Sequence, residues 1–124
     1  MNNQNPAVTK DDIMDLITWR TLKSSKELRL SDDFEYTWIG CSMNKLEWAE
    51  IRLITEPMKD LRVRSIFVTE GEAAAFFEAL EGVTGLTYQF AWLLEHCEGR
   101  IRRVLEIRES LPAEHRSEGN RSRH

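Results

Sequence analysis

The stretch that most constrains the fold is residues 85–111, GLTYQFAWLLEHCEGRIRRVLEIRESL, because its apolar residues fit two different periods. At 100° per residue, one arc of a helix collects most of the apolar side chains and the opposite arc collects charged ones. The apolar arc holds Leu86, Phe90, Leu93, Leu94, Cys97, Ile101, Val104 and Leu105. At a period of two, the same stretch forms two strands, with 95–99 as a hairpin loop and 100–108 as the return strand.

We interpret residues 85–111 as one long amphipathic helix. Residues 91–98 are rich in good helix formers, and only the helical period gathers the arginines and glutamates of 100–109 on the outside. The two-strand interpretation stays open. The two differ at Tyr88 and Trp92, which form an exposed i,i+4 pair beside the apolar stripe of a helix but join the core of a strand pair.

The N-terminal part of the chain predicts a single helix that begins near Lys10. Thr9 and Asp12 have the spacing of a capping box, and Val8 and Ile13 stand at the positions of a hydrophobic staple. We expect residues 1–8 to be frayed, 9–111 to form one globular domain, and the polar tail 112–124 to be disordered.

Between residues 34 and 69 the apolar residues alternate with a period of two, which indicates strands. We expect a hairpin of 34–43 with 46–56, turning at Asn44-Lys45, and a third strand over 61–69. In this register both faces of the sheet are partly apolar, with Met43 and Trp48 on the second face. An antiparallel sheet that stands alone normally keeps one polar face, so something must cover the second one.

A capping box at residues 69–72, TEGE, predicts a further helix that ends at Gly82. The predicted fold is therefore α+β: a three-stranded antiparallel meander over about 34–69, preceded by one helix and followed by two, the last of them long and amphipathic.

The composition describes one ordinary globular domain of 124 residues with a formal net charge of −4. No apolar run reaches the ~20 residues that span a bilayer, and the first residues do not resemble a signal peptide. The two cysteines lie in apolar patterns and do not form a disulfide framework. We therefore expect a cytoplasmic protein.

The charge is distributed unevenly, because residues 1–99 carry 10 Lys and Arg against 17 Asp and Glu, whereas residues 100–124 carry 7 Arg against 4 Glu. The acidic body argues against a surface that grips nucleic acid along its whole length. The basic end leaves nucleic-acid binding as an alternative. Its candidate residues are Arg100, Arg102, Arg103, Arg116, Arg121 and Arg123.

The sequence contains no catalytic signature. Cys97 and His96 are neighbours in sequence and point about 100° apart on a helix, so they cannot pair there. The three histidines do not cluster with cysteines at zinc spacing, and the six glycines form no phosphate-binding loop. We predict a protein without enzymatic activity, metal or cofactor; an enzyme would need a concave pocket with a perturbed acid, base or thiol.

The function that we predict is a protein-binding module, an adaptor, chaperone or inhibitor that self-associates as a homodimer and docks another protein. Its anchors would be Tyr88, Trp92, Trp48 and Met43, since aromatic and methionine side chains commonly carry interface energy. The alternative is that a helix of the same chain covers these side chains.

Overall fold

The structure is a computed structural model that describes residues 7–22 and 27–112. Two helices pack on one face of a six-stranded sheet. In chain order the elements are α1 (Lys10–Leu22), β1 (Leu30–Trp38), β2 (Cys41–Asn44), α2 (Lys45–Ile54), β3 (Met58–Val68), β4 (Glu72–Glu81), β5 (Thr87–Cys97) and β6 (Arg100–Ser110).

The sheet is mixed, with the strand order β2-β1-β6-β5-β4-β3. Strands β3 to β6 form an antiparallel meander, and β1 then joins the far edge of β6 in a parallel pair. The first strand of the chain therefore lies beside the last one, and side chains from both share one face.

The core lies on the face that the helices cover, which we call the inner face. From the helices it receives Ile13, Leu16 and Ile17 of α1 and Trp48 of α2, each at most 1% exposed. Trp48 packs against both α1 and β1: its ring centroid lies 4.8 Å from that of Trp19 on α1 and 5.0 Å from that of Tyr36 on β1. The sheet's opposite side, which neither helix covers, we call the outer face.

The long C-terminal helix predicted over residues 85–111 is wrong, and the two-strand alternative is the observed structure. Strands β5 and β6 pair over ten positions and turn at Glu98 and Gly99, whose φ values of 55° and 77° suit a tight hairpin. Trp92 at the centre of β5 is fully buried, with its ring edge-on to Phe77 at 5.1 Å. Packing of this kind overrides the helix propensity of the segment.

The predicted three-stranded meander over 34–69 is also wrong. The first hairpin turns at Ile39 and Gly40 instead of Asn44-Lys45, and β2 is only four residues long. Asn44 is in fact the N-cap of α2: it accepts from the backbone of Glu47, whose side chain accepts in return from the backbone of Asn44. This capping box turns 45–54 into a helix where a strand was expected.

The helix predicted after the capping box at 69–72 is wrong as well, since those residues lead into β4. Strand β4 pairs with β3 on one side and β5 on the other, and its inward side chains Ala73, Ala75, Phe77 and Ala79 are all buried. By contrast, the α+β class is confirmed, and the first helix does begin at Lys10. Within the described residues, neither helix is long and apolar enough to cross a bilayer.

Candidate functional site

A carboxylate sits in the middle of the inner face. Glu106 on β6 points inward in line with Val104, and its side chain is 1% exposed. Strand alternation places it there, because Leu105 and Ile107 then point to the outer face. Carboxylates are almost never fully buried without partners, so the surroundings of Glu106 must supply them.

Three side chains from three strands donate to Glu106. Its Oε1 accepts from the hydroxyl of Tyr36 on β1 and from Nε1 of Trp92 on β5, the latter at 3.0 Å. Its Oε2 accepts from Nε of Arg108 at 2.6 Å and lies 2.5 Å from Nη2 of the same guanidinium. The register explains the convergence: Trp92 is the cross-strand partner of Glu106, and Tyr36 is paired with Val104.

The guanidinium of Arg108 is surrounded by aromatic rings. It lies 4.0 Å from the ring centroid of Trp38, 5.0 Å from that of Phe90 and 5.5 Å from that of Tyr88. Its side chain is 11% exposed, whereas that of Glu106 is closed to solvent. The arginine therefore stands between the carboxylate and the surface. We call Trp38, Tyr88 and Arg108 the rim of the site.

A second arginine enters from the last turn of α1. Arg20 is only 9% exposed, and its Nε has no hydrogen-bond partner among the described residues. Burial lowers its pKa from the ordinary arginine value, an effect that the nearby charge of Glu106 opposes. Arg108 and Glu81 also act on it electrostatically, the first as a like charge and the second as an opposite one.

Burial raises the pKa of Glu106 above the ordinary glutamate value, because the ionised form loses its hydration. The charge and hydrogen bonds of Arg108, and the charge of Arg20, act in the opposite direction. The site is thus a buried acid with two cations around it, which is the kind of perturbed group that a reaction or a charged ligand can use.

The predicted partner-binding side chains are not gathered on the surface. Trp92 and Trp48 are buried, and Tyr88 and Met43 are partly buried. Trp92 and Tyr88 belong to the Glu106 site, whereas Trp48 packs behind Tyr36. The chain's own helices and strands cover the rings that an interface would need.

The predicted nucleic-acid residues that the structure describes are engaged on the protein surface. Arg102 pairs with Asp33 at 3.3 Å, Arg103 lies 3.3 Å from Glu35 and 3.8 Å from Glu95, and Arg100 donates to a backbone carbonyl. The remaining candidates, Arg116, Arg121 and Arg123, lie outside the described residues.

Neither of the cysteines weighed as nucleophiles is buried: Cys41 and Cys97 are free thiols on exposed positions. Among residues 7–22 and 27–112, no three Asp, Glu, His or Cys side chains come together as a metal site would require.

Sequence reasoning missed the whole cluster of Glu106, Arg108, Arg20 and Tyr36. One local signal is the segment VLEIR at 104–108, which, as a strand, sets Val104, Glu106 and Arg108 on one face and Leu105 and Ile107 on the other. Glu106 and Arg108 carry opposite charges and lie two residues apart on the same face of this strand, which is the spacing of an ion pair within one strand. The pattern alone would have suggested that the leucine and isoleucine face the core.

No family model matches this chain, and no curated protein matches it. Solved structures do share its fold. An NTF2-like protein of unknown function from Cytophaga hutchinsonii is 16% identical with a TM-score of 0.59, and the match covers 88% of this chain and 95% of that one. The fold is therefore the NTF2-like fold.

Two further solved structures are similar to this chain. AclR, a proposed hydroxylase from Streptomyces galilaeus, is 13% identical with a TM-score of 0.64, covering 86% of this chain and 82% of that one. A protein of ketosteroid isomerase-like fold from Catenulispora acidiphila, in complex with trimethylamine, is 13% identical with a TM-score of 0.63, covering 81% and 86%.

On this comparison the predicted protein-binding module and the prediction of a protein without enzymatic activity are wrong. The fold is shared with a proposed hydroxylase and with a protein of ketosteroid isomerase-like fold. Identities this low show the fold alone, so the function has to be argued from the Glu106 site.

Proposed function

We propose that this protein binds a small organic molecule at the rim formed by Trp38, Tyr88 and Arg108. The observation that carries the proposal is the ionisable cluster of Glu106, Arg108 and Arg20 inside a mostly apolar core. A buried ion pair is weak evidence for stability, because apolar residues of similar volume often do as well or better. Its retention here is better explained by a ligand.

The aromatic surroundings support the same proposal. Small-molecule sites are mostly apolar with a few well-placed polar groups. Here, the rings of Trp38, Phe90 and Tyr88 flank one guanidinium, and the carboxylate beneath fixes that guanidinium through two contacts of 2.5–2.6 Å. A ligand at the rim would meet a rigid cation and aromatic faces together.

Nuclear magnetic resonance of the indole N–H groups tests the proposal. Neutral, anionic and cationic aromatic fragments are titrated into the protein, and the signals of Trp38 and Trp19 are followed. We expect Trp38 to shift with at least one fragment, while Trp19, which packs on Trp48 under Arg52, shifts less. Trp38→Leu should weaken the binding and Trp19→Leu should not. If no fragment moves Trp38, or if both variants behave alike, the proposal is wrong.

A second candidate function is proton transfer on the bound molecule, and the raised pKa of Glu106 favours it. Glu106 would take a proton from one carbon of the substrate and return it to another, so that the reaction is an isomerisation without a co-reactant. Arg108 would have to move aside, because the carboxylate is closed to solvent. Likeness to a protein of ketosteroid isomerase-like fold agrees with this candidate.

The two candidates separate in one variant. Glu106→Gln keeps an oxygen that can accept from Tyr36 and Trp92 but cannot exchange a proton at neutral pH. If catalysis is the function, a substrate that exchanges a carbon-bound hydrogen for deuterium in the wild type should lose that exchange in the variant while still binding. Exchange that persists in the variant would rule out Glu106 as the base.

We propose in addition that the protein self-associates through its outer face. Neighbouring strands place an apolar stripe there, which consists of Phe67, Phe76, Leu93, Leu105 and Ile107, each between 36% and 58% exposed. Ion pairs flank this stripe, Arg64 with Glu78 at one end and Arg103 with Glu95 at the other. A two-fold axis through the stripe would set the pairs of one copy against those of the next.

Sedimentation tests the self-association. Leu93→Asp places a charge at the middle of the stripe, and we expect it to convert a dimer into a monomer without unfolding. Lys59→Asp, a change of an exposed side chain away from the stripe, is the control and should remain a dimer. A wild-type protein that sediments as a monomer at high concentration would disprove the proposal.

A further inference from the structure

We infer that the molecule bound at the rim is a small organic carboxylate with a flat apolar body, whose charged group lies against Arg20 and Arg108. This inference rests on the proposed binding function and adds the chemical class of the ligand. Three independent features of the site point to an anion.

The first feature is the balance of charge. Arg20 and Arg108 are two cations facing one buried anion, Glu106. Glu81 also acts on Arg20, but it is partly exposed and accepts from the hydroxyl of Thr84 at 2.7 Å. The interior of the site therefore holds one positive charge more than its buried carboxylate neutralises. A bound monoanion would neutralise this remaining positive charge.

The second feature is the kind of hydrogen-bonding atoms that remain unpaired. Among the described residues, three buried side-chain atoms lack a partner: Nε of Arg20, Nε1 of Trp38 and Nε1 of Trp48. All three are donors, and no buried side-chain acceptor of the described residues is left without a partner. Arg20 lies within the electrostatic reach of Glu106 and Arg108, and Trp38 stacks on Arg108. A ligand that satisfies Arg20 and Trp38 must offer acceptor oxygens.

The third feature is the order in which a ligand would meet the charges. Arg108 is 11% exposed and Glu106 is 1% exposed, so a molecule approaching the rim reaches the guanidinium first. The contacts with Glu106 employ two of its nitrogens, and a guanidinium carries five N–H groups. The flanking rings of Trp38 and Tyr88 provide faces for a planar body.

Three probes of the same shape and different charge test the inference: benzoate, benzamide and benzylammonium. Each is titrated at neutral pH into the wild-type protein, and binding is followed by tryptophan fluorescence and calorimetry. We expect benzoate to bind at least about tenfold more tightly than benzamide, since hydrogen bonds to a charged group are about twice as strong as neutral ones. We expect benzylammonium to bind more weakly than either.

Variants of Arg20 then test whether this arginine binds the carboxylate of benzoate. Arg20→Met should reduce the affinity for benzoate about tenfold and leave benzamide unchanged, while Arg20→Lys should retain part of the preference. The matched control is Arg64→Met, which removes an arginine paired with Glu78 on the outer face and should change neither affinity. The wild-type comparison of the three probes needs no variant, so a folding defect in Arg20→Met cannot decide the outcome.

The result also separates this inference from the binding function beneath it. If benzamide or benzylammonium shifts Trp38 and binds as well as benzoate, the site takes small molecules but the carboxylate inference is wrong. If none of the probes and no other fragment binds, the proposed function and the inference both fall. Benzoate binding that survives in Arg20→Met also contradicts the inference.

Discussion

The two faces of the sheet differ most sharply along β6, where the usual distribution of residue types is locally inverted. Glu106 and Arg108 point to the covered inner face, while Leu105 and Ile107, 39% and 56% exposed, point outward. The inner face therefore buries charges and the outer face exposes hydrocarbon. Neither arrangement is explained by the stability of an isolated domain, so each face is a place to look for a function.

The two faces differ in whether the chain itself supplies partners for the side chains that are unusual there. On the inner face, Tyr36, Trp92 and Arg108 satisfy the buried carboxylate within one chain. On the outer face nothing in the described chain covers Leu93 or Ile107. Under the proposals above, a ligand would pair with the unpaired donors of the inner face, and a second copy of the chain would cover the apolar stripe of the outer face.

The largest effect that we expect comes from removing the cation on the inner face. Arg108→Met should lower the free energy of unfolding by about 3–5 kcal/mol at neutral pH, because Glu106 loses its nearest counter-charge while it remains buried. Arg103→Met, which removes an arginine from half-exposed ion pairs on the outer face, should cost at most about 1 kcal/mol. Urea unfolding of both variants measures the contrast, and equal losses would contradict it.

Two adjacent leucines on β5 give the next contrast. Leu94 is 3% exposed on the inner face and Leu93 is 48% exposed on the outer face. We expect Leu94→Ala to lower the free energy of unfolding by about 2–4 kcal/mol, because it leaves a cavity in the core. Leu93→Ala should cost less than about 1 kcal/mol when the protein is dilute. A loss for Leu93→Ala as large as that for Leu94→Ala would show that the outer face is covered.

A smaller effect should appear in the pH dependence of stability. Burial raises the pKa of Glu106 in the folded state, so the folded state binds more protons than the unfolded state between the two pKa values. The contribution of this group to stability is complete below the unfolded pKa of about 4.3. It is lost as the pH rises through the folded pKa.

Glu106→Gln provides the reference for that measurement, because it lacks the titration and leaves Arg20, Arg108 and Glu81 in place. The free energy of unfolding of the wild type, minus that of the variant, should fall as the pH rises from about 4. Each unit of pKa difference contributes about 1.4 kcal/mol. A difference that rises with pH would mean that Arg108 outweighs burial.

The smallest effect belongs to a residue on neither face. Ile39 has a φ of 51° in the turn between β1 and β2, a conformation that a β-branched side chain rarely adopts, and it is 77% exposed. We expect Ile39→Asn to raise the free energy of unfolding by about 1 kcal/mol by relieving this strain. Thermal unfolding measures it, and a variant less stable than the wild type would contradict the expectation.

Some of the fold could be predicted from the sequence, chiefly where local chemistry acts alone. The capping pattern of Thr9 and Asp12 predicted the start of α1, and the alternation that begins at residue 34 predicted the strand that contains Phe34 and Tyr36. In the segment 85–111, the apolar residues fit both the helix period and the strand period. Pairing with β1 and β4 decides between them, and those partners are distant in sequence.

The site could not be predicted, because no stretch of the chain contains it. Tyr36 and Glu106 are 70 residues apart, and Trp92 and Glu106 are 14 residues apart. Arg20 stands three and four residues after Ile17 and Leu16, so the helical period places it on the buried face of α1, but the sequence does not show which groups it meets there. Local motifs report on neighbours in sequence, whereas this cluster is made by strand order and register.

The parallel pairing of β1 with β6 sets a condition on biosynthesis. The partner of β1 is β6, so the loop that joins the two strands cannot close before residues 100–110 have been synthesised. Until then, Tyr36 has no carboxylate to bind and Arg20 has no anion beside it. A chain that stops before β6 therefore cannot assemble the cluster around Glu106, and under the proposed function it would not bind the ligand.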